Sequence, residues 1–318
     1  MKRSMKALLG PVYPFYIRVR TSGTARDLTA TTGLPAYLWH RRQAPGSLAI
    51  DIDARMGLGG VLTQALLFHA LAEEWGVEPL IVSSNPLYAG QKGRDFLGRY
   101  FDRQIPPRGA PKPIHGNSYL WALRKVAPAT LSLTRASELF ARHFQPTALV
   151  RDQIAKVKAG RDRFDLSVHY RGTDKFLETA HVSMDRMFAA VDRALTENSR
   201  SEIFLATDDA AFDAAFRARY ARHAITTYNL DTAPPGVPRH FSDMAPEIKA
   251  LEAVVNIFLL ADAPLCIRTS SYLSALSRIA SPELRTETVN EASRASLLFP
   301  ESEVLAAEGA PPMAKGIF

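Results

Sequence analysis

Residues 47–84, "SLAIDIDARMGLGGVLTQALLFHALAEEWGVEPLIVSS", decide the fold. SLAIDI (47–52) is a short apolar run that reads as a strand. MGLGG (56–60) is a glycine-rich turn. Val61, Leu62, Ala65, Leu66 and Leu71 then recur at helical spacing, and Gly76 closes the helix as glycine does past a C-terminus. PLIVSS (79–84) reads as a second strand. Strand, glycine turn, helix, strand is a βαβ unit, and its crossover implies parallel pairing.

The same alternation returns further along. Residues 105–116 form a Pro/Gly-rich loop, and 117–160 read as helical and increasingly polar. RDQIAKVKAGRDRF (151–164) is a plausible boundary. Beyond it, DLSVHY, SEIFLATDD, AITTYNL and APLCIRTSS read as strands. Between them, VSMDRMFAAVDRAL places Met184, Met187, Phe188, Val191 and Leu195 on one helical face. AAFDAAFRARYA, APEIKALEAVVNIFLLA and YLSALSRIA read as the other helices. The expectation is an α/β protein with mainly parallel sheets in two facing Rossmann-like domains, 1–150 and 151–318. No repeat or low-complexity tract interrupts the pattern.

Composition narrows the class. The chain has 318 residues, 47% hydrophobic and 22% charged, which fits a globular protein with a substantial core. The single cysteine, Cys266, excludes a disulfide framework and cysteine-rich zinc sites; its apolar neighbours suggest a buried structural thiol. Nothing approaches a membrane span of roughly 20 apolar residues. The basic N-terminus lacks a secretory apolar segment, so a cytoplasmic protein is expected. A net charge of +7 suits a phosphate-bearing ligand, nucleic acid or an anionic surface. The cations are scattered, without a basic block, which argues against nucleic acid and leaves peripheral membrane contact open.

Function should sit at the carboxyl ends of the strands. SVHYRGTDK ends in His169, Arg171, Thr173, Asp174 and Lys175. IFLATDD ends in Thr207, Asp208 and Asp209. LCIRTSS ends in Arg268, Thr269, Ser270 and Ser271. Arg171 is a planar fork suited to a diphosphate. Ser270 and Ser271 precede a helix, where hydroxyls and free N–H groups bind anions. Asp208 or Asp209 could hold a ribose hydroxyl or orient a cation. Each feature also has an ordinary explanation, as a helix cap or a solvated charge. Their coincidence at one sheet edge favours a cleft. Glu252 lies at the margin of the stripe Ile248, Leu251, Val255 and Leu259. It is either half of a surface salt bridge or a carboxylate that accepts from a guanine edge.

Other motifs are weaker. GLGGVL has Leu62 where a dinucleotide fingerprint has its third glycine, and Ser83 and Ser84 stand where the ribose-binding acid would be, so NAD is not expected. Gly59 in that turn still allows close backbone approach to a ligand. Asp51 and Asp53 form a D-x-D pattern, a weak metal signal. No histidine pair has ligand spacing, and G-x-S-x-G, P-loop and H-E-x-x-H motifs are lacking.

HYRGTDK, FLATDD and LCIRTSSYLSALSRIA, in that order and spacing, resemble the three motifs of the α1,6-fucosyltransferase superfamily. The glycine-rich first helix is similar, less specifically. The resemblance implies a two-domain GT-B fold, a GDP-fucose donor and inverting transfer to a glycan without a metal or other cofactor. By position it implies that Arg171 holds the β-phosphate, with His169 beside the nucleotide. Asp208 and Asp209 follow the second strand, Ser270 and Ser271 meet the diphosphate, and Lys175 assists near the acceptor. The sequence departs from the pattern in two places. Gly172 stands where many members have a second basic residue. Thr179 stands where the core fucosyltransferases have the acceptor-side glutamate, with Glu178 one position earlier. Glu178 is then preferred over Asp174 as base, and Glu252 as the guanine reader. Three functions remain open: a fucosyltransferase acting on a glycan or lipo-oligosaccharide; a GT-B transferase with another donor or a peptide acceptor; and a non-catalytic nucleotide-sugar-binding protein.

Overall fold

A computed structural model describes residues 42, 46–89, 95–102, 112–116, 131–172, 181–195, 201–231 and 241–290. The first strand, β1 (Ser47–Asp51), pairs in parallel with β2 (Glu78–Val82), Ala49 opposite Leu80. Between them runs α1 (Leu58–Glu74), with Val61 to Ala72 all buried. Gly76 follows at φ +61, the left-handed conformation that suits glycine beyond a helix. The expected βαβ unit is therefore present. The glycines fall differently, however: the helix begins at Leu58 and takes in Gly59 and Gly60.

A short strand, β4 (Ile114–His115), lies in parallel on the other side of β1, giving the order β2-β1-β4. It occupies the end of the segment expected to be a loop. A four-residue helix, α2 (Leu97–Tyr100), leads into β3 (Phe101–Asp102). In the segment expected to be helical, the described part holds two helices. These are α3 (Leu133–His143) and α4 (Ala148–Lys158), separated by β5 (Gln145–Pro146), which pairs antiparallel with β3.

The second sheet is wholly parallel. It contains β6 (Leu166–Tyr170), β7 (Glu202–Thr207), β8 (Ala224–Thr226), β9 (Leu265–Arg268) and β10 (Arg285–Thr288), in the order β10-β9-β6-β7-β8. The chain thus steps outward from β6 through β7 to β8, returns beside β6 as β9, and steps out the other way. This is the strand order of a doubly wound half, with its switch point between β6 and β9. The crossovers are α5 (Met184–Leu195), α6 (Ala210–Arg219), α7 (Pro246–Ala261) and α8 (Tyr272–Ala280).

Alternation along the strands places helices on both faces. Val168, Ile203, Leu205 and Ile267 share a cluster with Met187, Phe188 and Val191 of α5 and Phe212 and Phe216 of α6. Phe204, Ala206 and Cys266 face the other way. They join a larger cluster with α7 and α8 that continues through α1 and β1 of the first sheet. Burial raises the pKa of the Cys266 thiol, as expected of a structural cysteine. The helix α7 departs from its expected stripe. Ile248 and Leu251 are only half-buried, whereas Val254, Ile257 and Leu260 are fully buried beside Val255 and Leu259. The cause is packing on several sides, against β6 and β7 and against α1, α4 and α8. Among the described residues no helix is long and apolar enough to cross a membrane.

Candidate functional site

The three polar strand ends named from the sequence belong to neighbouring strands, in the order β9-β6-β7. Hydrogen bonds tie them together at the switch point. The Arg171 backbone N–H donates to Thr269 Oγ1 at 2.9 Å, and the Gly172 N–H donates to Asp208 Oδ1 at 3.2 Å. Thr269 in turn donates its backbone N–H to the His169 carbonyl at 2.9 Å. The chain leaving β6 is thus held from both sides. The Arg171 guanidinium remains 21% exposed, with Nε 3.9 Å from Asp208 Oδ2. This is a partly exposed cation on a fixed backbone, with the Asp208 carboxylate beside it.

The paired aspartates divide the work. Asp208 holds the turn after β6. Asp209 is the N-cap of α6, its Oδ1 accepting from the N–H groups of Ala211 (2.9 Å) and Phe212 (3.1 Å). Gly172 has a steric cause. A Cβ there would lie 2.6 Å from Asp209 Oδ2 and 2.8 Å from Tyr170 Cε1. Tyr170 cannot yield easily, because its ring is buried and stacked on Phe212.

At the end of β9, Ser270 and Ser271 are both buried. The Ser270 N–H donates to Asn290 Oδ1 at 2.7 Å, and Ser271 Oγ caps α8 by accepting from Leu273. Arg268 is not a cleft residue, as had been expected. It is fully buried, bonding through Nε to Ser274 Oγ, through Nη1 to Thr288 Oγ1 and through Nη2 to the Ser271 carbonyl. It therefore fastens the start of α8 to β10. Desolvation lowers its pKa to about 10. His169 is also buried. On strand parity it shares a face with Ser167, which donates to the Leu260 carbonyl of α7.

Glu252 is not a surface residue. It is 4% exposed, and its Oε2 accepts the backbone N–H of Leu230 at 2.9 Å, holding the chain that follows β8. Gly59 makes its close approach to protein. A Cβ on Gly59 would meet Tyr272 Cβ at 2.7 Å and the Leu273 nitrogen at 2.8 Å, so the glycine lets the first turns of α1 and α8 touch. Lys175 and Glu178, with Asp174 and Thr179, lie outside the described residues.

Several contributors carry no sequence motif. The Tyr88 hydroxyl accepts the Leu58 N–H at 2.8 Å, closing the N-terminus of α1. Burial raises its pKa, opposed in part by the nearby Arg171 charge. Asn85 holds the Met56 carbonyl through Nδ2 at 2.9 Å; its Asn-Pro dipeptide was a turn signal that could have pointed to it. The D-x-D pair is split. Asp51 accepts from the Ser84 N–H and Oγ at 2.8 and 2.7 Å, while Asp53 Oδ2 meets His115 Nδ1 at 2.6 Å. Among the described residues, no three His, Cys, Asp or Glu side chains are grouped to hold a metal ion.

No protein-family model matches the chain, and no curated protein matches its sequence. The structure is similar to that of NodZ α-1,6-fucosyltransferase co-crystallised with GDP, at 15% identity and a TM-score of 0.49, over 73% of this chain and 92% of that one. It is similar to fucosyltransferase NodZ from Bradyrhizobium, at 14% and 0.47, over 73% and 93%. A variant of Arabidopsis thaliana FUT1 in complex with GDP aligns at 11% and 0.39, over 79% and 51%. At such identities the likeness is one of backbone arrangement.

Proposed function

We propose that this chain is an inverting, metal-independent glycosyltransferase that moves fucose from GDP-fucose to a hydroxyl of a glycan or lipo-oligosaccharide. The observation that carries the reading is the fixing of Arg171 and Gly172 at the β6/β9 switch point, by Thr269 on one side and Asp208 on the other. With its backbone so held, Arg171 starts from a fixed Cα, and its planar guanidinium is suited to grip a diphosphate there. The spacing of the motifs around it supports GDP-fucose as the donor.

The chemistry is a single displacement at the anomeric carbon through an oxocarbenium-like transition state. Negative charge grows on the departing diphosphate. Arg171 and the N-terminus of α8, which Ser270 and Ser271 precede, stabilise it in place of a metal cation. His169, behind Arg171, supports the nucleotide side. Asp208 aims the arginine, Asp209 fixes the helix beside it, and Glu252 positions the chain after β8. Lys175 and Glu178, a few residues beyond Arg171, are assigned to the acceptor side.

The test is a thermal-shift titration followed by a transfer assay. GDP should raise the melting temperature more than UDP or ADP, and Arg171→Ala should abolish that shift. Incubation with GDP-fucose and a panel of glycans should add a deoxyhexose detectable by mass spectrometry. Unchanged turnover in Arg171→Ala would sink the proposal. A GDP shift without transfer to any acceptor would instead favour a nucleotide-sugar-binding protein.

A further inference from the structure

The first sheet has its own switch point, and the donor site leaves its residues unused. In the order β2-β1-β4, the chain steps from β1 to β2 on one side and returns as β4 on the other. The crevice at the carboxyl ends of β1 and β4 is thus the second place where this topology receives a ligand. His115 ends β4, in register with Asp51 of β1, and Asp53 follows the end of β1. Asp53 Oδ2 and His115 Nδ1 are 2.6 Å apart. An ionised carboxylate can only accept, so Nδ1 carries a proton, and in the neutral ring Nε2 is then the atom with the lone pair. The imidazole side chain is 75% exposed and the carboxylate 33% exposed, so the ring is open to a reactant and its orienting group is partly sheltered.

A run of contacts through α1 links this edge to the strand ends around Arg171. The chain leaving β1 enters α1, whose Gly59 touches Tyr272 at the start of α8, directly beyond β9. The Leu58 N–H binds Tyr88, which lies in the field of Arg171 beyond β6. The segments leaving β1 and β9 therefore meet at the starts of α1 and α8, and β4 is the immediate neighbour of β1.

We propose that His115, oriented by Asp53, is the general base that deprotonates the acceptor hydroxyl. The inference rests on the donor reading above. Nε2 takes the hydroxyl proton as the acceptor oxygen bonds to the anomeric carbon. The bond from that carbon to the β-phosphate oxygen breaks, and its electron pair leaves with GDP. Asp53 stabilises the imidazolium that results. A positioned base of this kind contributes about 10²–10⁴-fold to the rate. An exposed ion pair serving only stability would contribute almost nothing to it.

The experiment measures GDP release from GDP-fucose by the full chain, with the glycan panel present and water as the fallback acceptor. GDP binding is followed separately by thermal shift. His115→Gln should lower kcat by about 10²–10⁴-fold and leave the GDP-induced shift unchanged. It should also remove the acidic limb of the pH–rate profile, which a merely structural residue would leave in place. Asp53→Asn should lower kcat by a smaller factor. Wild-type kcat in His115→Gln overturns the proposal, and so does a wild-type protein that binds GDP without releasing it from the sugar. A wild-type protein that does not bind GDP overturns the donor reading instead, and the two failures are thereby separated.

Discussion

A Cβ on Gly172 would stand 2.6 Å from Asp209 Oδ2, closer than real Cβ atoms come to anything. The space is filled because Asp209 is committed to capping α6 and Tyr170 is locked against Phe212. A second cation after Arg171 is therefore excluded by packing.

Gly172→Ala should destabilise the chain by about 1–3 kcal/mol, the cost of overpacking, read from urea unfolding. Gly172→Arg should cost more, and should not tighten GDP binding. An arginine variant of full stability and higher GDP affinity would show that the space opens readily.

Asp208 and Asp209 should separate cleanly. Asp209→Ala removes an N-cap and should cost about 0.5–2 kcal/mol of stability, with GDP affinity changed little. Asp208→Ala removes the acceptor of the Gly172 N–H and a carboxylate beside the Arg171 guanidinium, so it should weaken GDP binding more than it lowers the melting temperature. Paired calorimetric and binding measurements check the contrast; identical behaviour of the two variants contradicts it.

Gly59→Ala drives a methyl against the backbone of Tyr272 and Leu273, which cannot rotate away. The expected loss is at the upper end of about 1–3 kcal/mol. Because the contact joins α1 to α8, unfolding should remain a single transition with an earlier midpoint. An unaltered urea midpoint would mean that the helices separate at no cost.

Alkaline pH should unfold the protein. Burial pushes Tyr100 and Tyr228 from the ordinary 10.0 up to about 12, and it raises Tyr88 and Tyr220 as well. The unfolded chain then releases these protons first. The stabilisation is complete below pH 10 and is lost as pH rises through about 12. Arg268 acts in the opposite sense, because its lowered pKa of about 10 relieves a burial penalty above that pH. Arg278 and Lys249, lowered by burial, act with Arg268, while Tyr170 and Cys266, raised by burial, act with the other tyrosines. Tyrosinate absorbance and far-UV circular dichroism should change together in this window. Full ionisation near pH 10 with native dichroism would contradict the assignment.

The strand β6 was legible because its apolar run is buried on both faces, every residue of it being buried. The strand β10 was missed because RTET is polar, as an edge strand can be. The face of α7 was misplaced because packing on several sides erases a stripe. At the site, Arg171 and Asp208 announced themselves by type and position. Asp209 read equally well as ligand or cap, and only the hydrogen bonds to Ala211 and Phe212 decide it. Arg268 looked like its neighbours in sequence, yet its place within the β9 end turns it inward. His115 and Tyr88 could not be found, since their significance lies in partners 62 and 30 residues away.

The hydrophobic cluster that runs from β1 and α1 into α7 and α8 also constrains how the chain is made. The first sheet leaves the ribosome well before the side chains that complete its core, Leu276 and Ile279 among them. At about 5–20 residues per second, the apolar face of α1 waits roughly ten seconds or more for its partner. During that time it is a natural target for chaperones, and synthesis rate becomes a determinant of yield.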